Sequence, residues 1–294
     1  MHRFLLHNDE VRDSSDLIVS PGQIGFANGW GVFSTLRVYD GVLFAFERHW
    51  ERMSRDAARM SVPFPESPGW LEDRLHRLVE ANQAWNSTLR VMVVRNRGGK
   101  WLRLWEGPAA SAREFELIAL TAPVNEWGRG VRLGLVPQAR HAASELTGTK
   151  ILSWSQNLYW YERAHQQGFD ETVLLNERGE VAECTSANIF AVEGDRVWTP
   201  PLTAGCLPGV TRAILLEEVG APGLTIGEKT LMPADLEAAN EVFITSTTRE
   251  LLPVVSVAGL KIRDASATRD RLQAAFSGYT QKYAAPRRRP VAAL

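Results

Sequence analysis

The sequence predicts a two-domain α/β protein, and three observations carry that expectation. Its hydrophobic pattern switches repeatedly between the alternating period of strands and the helical period of about 3.6 residues. A stretch of linker character, Pro123-Val124-Asn125-Glu126-Trp127-Gly128-Arg129-Gly130, separates two runs of such elements. The 294 residues, 45% of them hydrophobic, suffice for two buried cores. The expected division is a smaller N-terminal α/β domain over 1–122, a linker over 123–130 and a larger C-terminal α/β domain over 131–294.

The N-terminal elements follow in order. Gly31–Tyr39 is rich in β-formers, and Asp40-Gly41 is the dipeptide of a tight hairpin turn, with Val42–Phe46 as the return strand. Phe46, Trp50, Met53, Ala57 and Met60 then repeat at helical spacing until Pro63 and Pro65 stop the pattern. A second helix runs from about Trp70 to Ala84, and Thr88–Asn96 and Glu114–Ala122 read as buried strands on either side of a Gly- and Arg-containing loop. Beyond the linker, the expected strands are Val131–Val136, Glu171–Leu175, a largely extended Val181–Val192, one near Glu241–Thr245 and one near Val254–Val257. The expected helices are Ser155–Gln167, Val210–Val219 and Arg269–Tyr283. Pro286-Arg287-Arg288-Arg289-Pro290 reads as a solvated basic tail.

Composition removes several function classes. A formal net charge of −1 gives no general attraction to nucleic acid or anionic membrane. The longest apolar runs fall far short of the roughly 20 residues that span a bilayer. The N-terminus lacks the apolar core of a secretory signal, and two cysteines, Cys184 and Cys206, build neither a disulfide scaffold nor a zinc site. A cytoplasmic protein is expected. No G-x-S-x-G, H-E-x-x-H, C-x-x-C or phosphate-loop motif is present, and six scattered histidines show no metal-ligand spacing, so no metal is expected.

Lysine occurs only at Lys100, Lys150, Lys229, Lys261 and Lys282, leaving 28 of the 33 basic residues as arginine. Lysine can act as an amine nucleophile near neutral pH and arginine cannot. Lys150 stands between a polar loop and Ile151-Leu152-Ser153-Trp154, where burial favours the neutral amine; the same pattern also fits a lysine whose stem covers apolar surface. Glu183, followed by Cys184-Thr185-Ser186-Ala187-Asn188, fits an acid aimed into a pocket from a narrow turn, or a cap or salt-bridged strand residue. Leu207-Pro208-Gly209-Val210-Thr211-Arg212 leads into a helix whose first N–H groups suit a phosphate, or ordinary capping. Thr245-Ser246-Thr247-Thr248 offers further hydroxyl donors at a strand end. In the helical row Arg48, Arg52, Arg55 and Arg59, Arg48 at the strand-to-helix turn is the one expected to reach an interior anion, and the other three are expected to face solvent.

In this order, these pieces resemble the class IV (fold type IV) pyridoxal-phosphate aminotransferases. The N-terminal pattern is Gly29-x-Gly31-Val32-Phe33-x-x-Leu36-Arg37-Val38-Tyr39-x-Gly41, then Arg48-His49-x-x-Arg52-Met53. Lys150, Glu183 in Glu-x-Thr-Ser-x-Asn-Ile-Phe, Leu-Pro-Gly-Val-Thr-Arg at 207–212 and Thr-Ser-Thr-Thr-x-Glu at 245–250 continue it, over about residues 20–260. The resemblance implies a two-domain α/β homodimer of fold type IV, with its C-terminal domain binding pyridoxal 5'-phosphate. It implies that Lys150 carries the cofactor as a Schiff base and moves the substrate proton, and that Glu183 pairs with the pyridine nitrogen. Arg48, Val210, Thr211 and Ser246 or Thr247 are then the phosphate ligands. The implied reaction moves an amino group between an amino acid and a 2-oxo acid, of branched-chain or D-amino-acid type. A 4-amino-4-deoxychorismate lyase is the alternative, and an inactive scaffold of the same fold is the third reading. Phe33-Ser34-Thr35 stands where branched-chain enzymes have Phe-Glu-Gly, and Ser153-Trp154-Ser155 occupies the region of their Asn-Tyr. Phe33, Arg37 and Arg97, with Arg95 beside it, are the candidate substrate contacts, because an α-carboxylate in an apolar setting needs a fixed cation.

Overall fold

The structure is a computed structural model and describes residues 1–19, 23–96 and 113–288. The chain forms two compact units. One comprises Met1–Asn125, Lys150–Trp154 and Lys282–Leu294, and the other Glu126–Thr149 and Ser155–Gln281.

The first unit contains β1 (Phe4–His7), β2 (Glu10–Asp13), α1 (Ile24–Ala27), β3 (Gly31–Tyr39), β4 (Val42–Leu43), α2 (Phe46–Arg59), α3 (Pro68–Ala81), β5 (Ser87–Arg95) and β6 (Phe115–Ala122). The strands form one antiparallel sheet in the order β2-β1-β6-β5-β3-β4. Alternation decides its faces. Val32, Leu36 and Val38 of β3, with Leu89, Val91 and Val93 of β5, join a core that includes Met53 and Ala57 of α2 and Leu71, Leu75 and Leu78 of α3. Phe33, Thr35 and Arg37 therefore fall on the opposite face, where Phe33 is opposite Met92 and Thr35 opposite Arg90. Asp40 and Gly41 both have positive φ, 48° and 81°, as a two-residue hairpin turn requires. The return strand is shorter than expected. It ends at Leu43 because Ala45, in the left-handed conformation (φ 51°), turns the chain directly into α2.

The second unit contains β7 (Val131–Val136), α4 (Ser155–Gln166), β8 (Glu171–Leu175), β9 (Val181–Cys184), β10 (Asn188–Glu193), β11 (Arg196–Thr199), α5 (Val210–Glu217), β12 (Thr225–Glu228), α6 (Pro233–Ala238), β13 (Glu241–Ser246), β14 (Glu250–Val257) and α7 (Ala267–Ala284) as far as Gln281. Its sheet, ordered β12-β11-β10-β13-β14-β7-β8-β9, is mixed: β11–β12, β14–β7 and β7–β8 are parallel and the other pairs antiparallel. The stretch 181–192 divides into β9 and β10 around a tight turn closed by Cys184 N–H to Ala187 O at 2.8 Å. Val173, Val181, Ile189, Ile244 and Val254 are among the residues of the core cluster built on this sheet. Among the described residues no helix is long and apolar enough to cross a membrane, and no group of acidic, His and Cys side chains could hold a metal ion.

Candidate active site

In the first unit the candidate groups gather around β3. Beyond the two residues of β4, the edge of β3 is taken up by the segment that carries Lys150. Ile151 bridges Val32, Phe33 N–H donates to Lys150 O (3.2 Å), and Leu152 N–H donates to Gly31 O (2.9 Å). Lys150 N–H donates to Asp56 Oδ2 of α2 at 3.0 Å. The lysine backbone is thus fixed by strand pairing, where the sequence suggested a loop-to-helix junction. Gly31 permits this approach: a Cβ there would stand 2.5 Å from Val93 O and 2.6 Å from Leu152 Cδ1. The Lys150 ammonium nitrogen lies 4.5 Å from the centre of the Phe33 ring, which is itself buried and edge-on to Trp154.

The arginine row of α2 differs from expectation. Arg52, expected in solvent, is buried at 8% exposure and donates through Nη2 to Ser34 Oγ at 2.8 Å. Burial, partly offset by Asp56, lowers it to about 10. Arg48 is half-buried in the first turn of α2. Ser34 Oγ also meets His49 Nδ1 at 2.7 Å. His49 is held well below its ordinary value of 6.5 by burial first, then by the charges of Arg52 and Lys150, and is neutral at physiological pH.

On the opposite face, Arg90 lies with its guanidinium carbon 4.2 Å from the Phe33 ring centre. Burial lowers Arg90 from 12.5, and its Nε is buried without a hydrogen-bond partner. The sequence reading missed Arg90, although strand alternation puts it beside Phe33 and Thr35. Arg37 instead donates to the carbonyls of Val38 (2.5 Å) and Ser87 (3.0 Å) and stacks on Tyr39, which leaves it a structural part of the sheet. Arg95 is similarly committed to Ser61 O and the Trp30 ring. Arg97 lies outside the described residues.

In the second unit Glu183 is the organising group. It projects from β9, whose residues are all buried, and each of its oxygens has a partner. Oε1 accepts from Arg140 (Nε 3.2 Å, Nη2 3.1 Å) and Oε2 from Leu207 N–H (2.9 Å). Arg140 is placed by the two N–H groups of Ala139 and Arg140, both donating to Leu175 O at the end of β8. Asn157 of α4 accepts from Arg140 Nη1 (3.1 Å) and donates to Thr185 O (2.5 Å), closing the network. Neither Arg140 nor Asn157 was legible as a functional residue, since no local pattern marks either one. The hydroxyls of Thr185 and Ser186 donate to Glu171, a fully buried carboxylate also approached by Arg249 at 3.5 Å. Those hydroxyls shape the turn after Glu183.

The loop that meets Glu183 through Leu207 leads into α5. Its N-cap is Gly209, with no side-chain cap and no acidic residue in the first turn. The first intrahelical bond is Ala213 N–H to Gly209 O, so the N–H groups of Val210, Thr211 and Arg212 precede the helical ladder. Val210 and Thr211 are buried. Asn188, opposite Thr245 in the β10–β13 pairing, donates to Leu207 O, and a Cβ on Gly209 would lie 2.0 Å from its Oδ1. This contact brings the end of β13 beside the α5 N-terminus. There Thr245 Oγ1 is buried without a hydrogen-bond partner, while Ser246 and Thr247 are half-buried and Ser246 Oγ accepts from Arg249 N–H. Within this unit the uncapped start of α5 offers N–H donors that suit an anion, and the Glu183 carboxylate is an acceptor that suits a protonated ring nitrogen.

Comparison with known proteins follows this chemistry. The family model for class IV amino-transferases matches residues 31–257. The chain is 29% identical over 260 residues to a D-alanine aminotransferase of Bacillus licheniformis, covering 88% of this chain and 89% of that one. It is 29% identical over 258 residues to a putative branched-chain-amino-acid aminotransferase of Methanocaldococcus jannaschii, covering 87% and 88%. The branched-chain amino acid aminotransferase of Escherichia coli superposes with a TM-score of 0.82 at 24% identity, covering 95% of each chain, and shares the fold.

Proposed function

Because the chain belongs to the class IV aminotransferases and is an aminotransferase by that membership, we propose that it works with pyridoxal phosphate through Lys150, Glu183 and a phosphate seat. The candidate phosphate ligands are Arg52 in the first unit and the N–H groups at the start of α5 in the second. The observation that carries this reading is Lys150 itself. Its backbone is pinned on both sides to β3 and to Asp56, with its amine over Phe33. Lys229, by contrast, is engaged with Asp235 and Glu193 at the surface.

Lys150 holds the cofactor's aldehyde carbon, Glu183 its ring nitrogen, and Arg52 with the N–H groups of Val210 and Thr211 its phosphate. Ser246 and Thr247 supply hydroxyls to the same anion. Arg52 replaces Arg48 as the main cation from α2, because a desolvated guanidinium gains more from an anion than a half-exposed one. Bound there, the cofactor supplies an electron sink for charge developing at the substrate α-carbon. Lys150 Nζ would take the proton from the substrate α-carbon and deliver it to the cofactor's former aldehyde carbon. Glu183, held between Arg140 and Leu207 N–H, keeps a proton on the ring nitrogen. Arg90, over the same Phe33 ring that Lys150 Nζ meets, anchors the substrate carboxylate. We further place the protein in the cytoplasm as a homodimer, consistent with two free, buried cysteines and with the resemblance above.

The test is the visible spectrum of the purified protein with a panel of amino donors in both enantiomers. A donor should bleach the lysine-bound cofactor's band, and a 2-oxo acid should restore it. Pyruvate release from aminodeoxychorismate, with no response to any amino acid, would replace the aminotransferase reading by the lyase.

A further inference from the structure

We propose that Ser34 and His49 are positioning residues that fix the Arg52 guanidinium for the cofactor phosphate; the inference rests on the assignment of Arg52 to that phosphate. The three side chains form a chain of contacts between β3 and α2, sealed from solvent at 0%, 1% and 8% exposure respectively. Its direction follows from the groups. Arginine can only donate, so Ser34 Oγ accepts from Arg52 Nη2 at 2.8 Å. The buried hydroxyl hydrogen then needs an acceptor of its own, and His49 Nδ1 stands 2.7 Å away. His49 is neutral, so one ring nitrogen carries a lone pair, and this contact assigns it to Nδ1 and the ring proton to Nε2. The Arg52 N–H polarises the Ser34 hydroxyl, which in turn donates to His49 Nδ1, and this strengthens the hold on the guanidinium.

The Asp56 carboxylate partly offsets the burial of Arg52. Asp56, buried at 1%, accepts from Arg55 through Oδ1 (Nε 3.0 Å) and from Lys150 N–H through Oδ2 (3.0 Å). The neutral hydroxyl of Ser34 orients one arm of Arg52 without adding a further negative charge beside it. A carboxylate at position 34 would bind the arm more tightly and offset the guanidinium charge further. The segment also couples to the lysine: Phe33, adjacent to Ser34, donates its N–H to Lys150 O.

The test measures binding of pyridoxal phosphate to the full chain by quenching of tryptophan fluorescence, with pyridoxal, which lacks the phosphate, as the control ligand. Circular dichroism verifies the fold of each variant. Ser34→Ala and His49→Gln should weaken pyridoxal phosphate about tenfold, the scale of one hydrogen bond to a charged group. Pyridoxal binding should be unchanged. Ser34→Thr keeps the hydroxyl, and His49→Asn keeps a polar atom at the place of Nδ1, so both should bind within about twofold of the parent, whereas Gln reaches the place of Nε2. Equal loss of both ligands in Ser34→Ala would make the chain merely structural and overturn the inference. So would pyridoxal phosphate affinities of Ser34→Ala and His49→Gln matching the parent while Arg52→Ala binds weakly; the Arg52 assignment would then stand. Unchanged phosphate-dependent affinity in Arg52→Ala would instead remove that assignment, and the inference with it.

Discussion

Glu183→Gln is the substitution for which the structure sets a magnitude. The carboxylate is buried, with one oxygen facing Arg140 and the other the N–H of Leu207. All of its partners are donors. An amide presents one oxygen and one NH₂, so in either orientation an NH₂ meets a donor. Turned toward Leu207, it leaves a buried N–H unsatisfied, at a cost of about 1–3 kcal/mol. Turned toward Arg140, it removes charge-assisted bonds of about 1.5–3 kcal/mol and leaves a partly buried guanidinium without this counter-charge. Either way the destabilisation should be about 1–3 kcal/mol, a large part of the ~5–15 kcal/mol typical of folded domains but not all of it. Urea unfolding of the cofactor-free protein should show a lowered midpoint at constant m. Turnover should fall by orders of magnitude, because a neutral amide cannot hold the ring nitrogen as the cation. A midpoint shift worth less than about 0.5 kcal/mol, on the scale of an ordinary surface substitution, would refute the packing argument. Near-normal turnover would remove Glu183 from the mechanism.

Lys150→Ala should lose the visible band and all turnover; borohydride reduction of the parent followed by peptide mapping should label Lys150, and label on Lys229 would overturn the assignment. Arg90→Gln should raise the apparent KM for amino acids about tenfold or more, the worth of a charge-assisted bond, while sparing a primary amine that lacks a carboxylate; equal effects on both would make Arg90 structural. Gly209→Ala should weaken pyridoxal phosphate binding more than pyridoxal binding, because the added methyl would meet Asn188 Oδ1 at 2.0 Å and push the α5 start away; unaltered binding would show that the loop yields freely. His49 gives a pH prediction. Its folded value lies well below 6.5, so below about pH 6.5 the unfolded chain binds a proton that the folded chain does not. Stability should fall by up to about 1.4 kcal/mol per pH unit on that acid limb, until pH reaches the folded value. His49→Asn should flatten the limb by one proton, and identical limbs would contradict a buried neutral ring.

The fold was legible where local patterns were strong. Gly31–Tyr39 combines β-formers with alternation and ends in Asp-Gly, and β3 has those bounds. Val131–Val136 and Glu171–Leu175 likewise stand as read. The four-residue strands β1, β2, β11 and β12 were not identified, because so short a run barely samples a period of two and their stability comes from neighbours distant in sequence. Pairing of Lys150–Leu152 with β3 was invisible for the same reason. Ile-Leu-Ser-Trp reads as the start of an apolar helical run, and only the edge of β3 left open beyond the two-residue β4 gives it a strand partner.

The error at α2 identifies the physical signal that the sequence reading passed over. Following apolar residues alone put Phe46, Trp50, Met53, Ala57 and Met60 on the inner face and the arginines outside. The buried set is Phe46, His49, Arg52, Met53, Asp56 and Ala57, an i, i+3, i+4, i+7 stripe in which half the members are polar. Hydropathy phases a helix only when its inner positions are apolar, and here it was misled by the residues that matter most. Burying His49, Arg52 and Asp56 costs solvation that the apolar core cannot return. Each is compensated locally, Asp56 by Arg55 and Lys150 N–H, Arg52 and His49 through Ser34. A helix that places a cation and its orienting contacts on the inner stripe, with Asp56 bonded to the lysine segment, suits the anion proposed above. Arg52 is therefore the residue of this helix on which the proposed cofactor binding should depend.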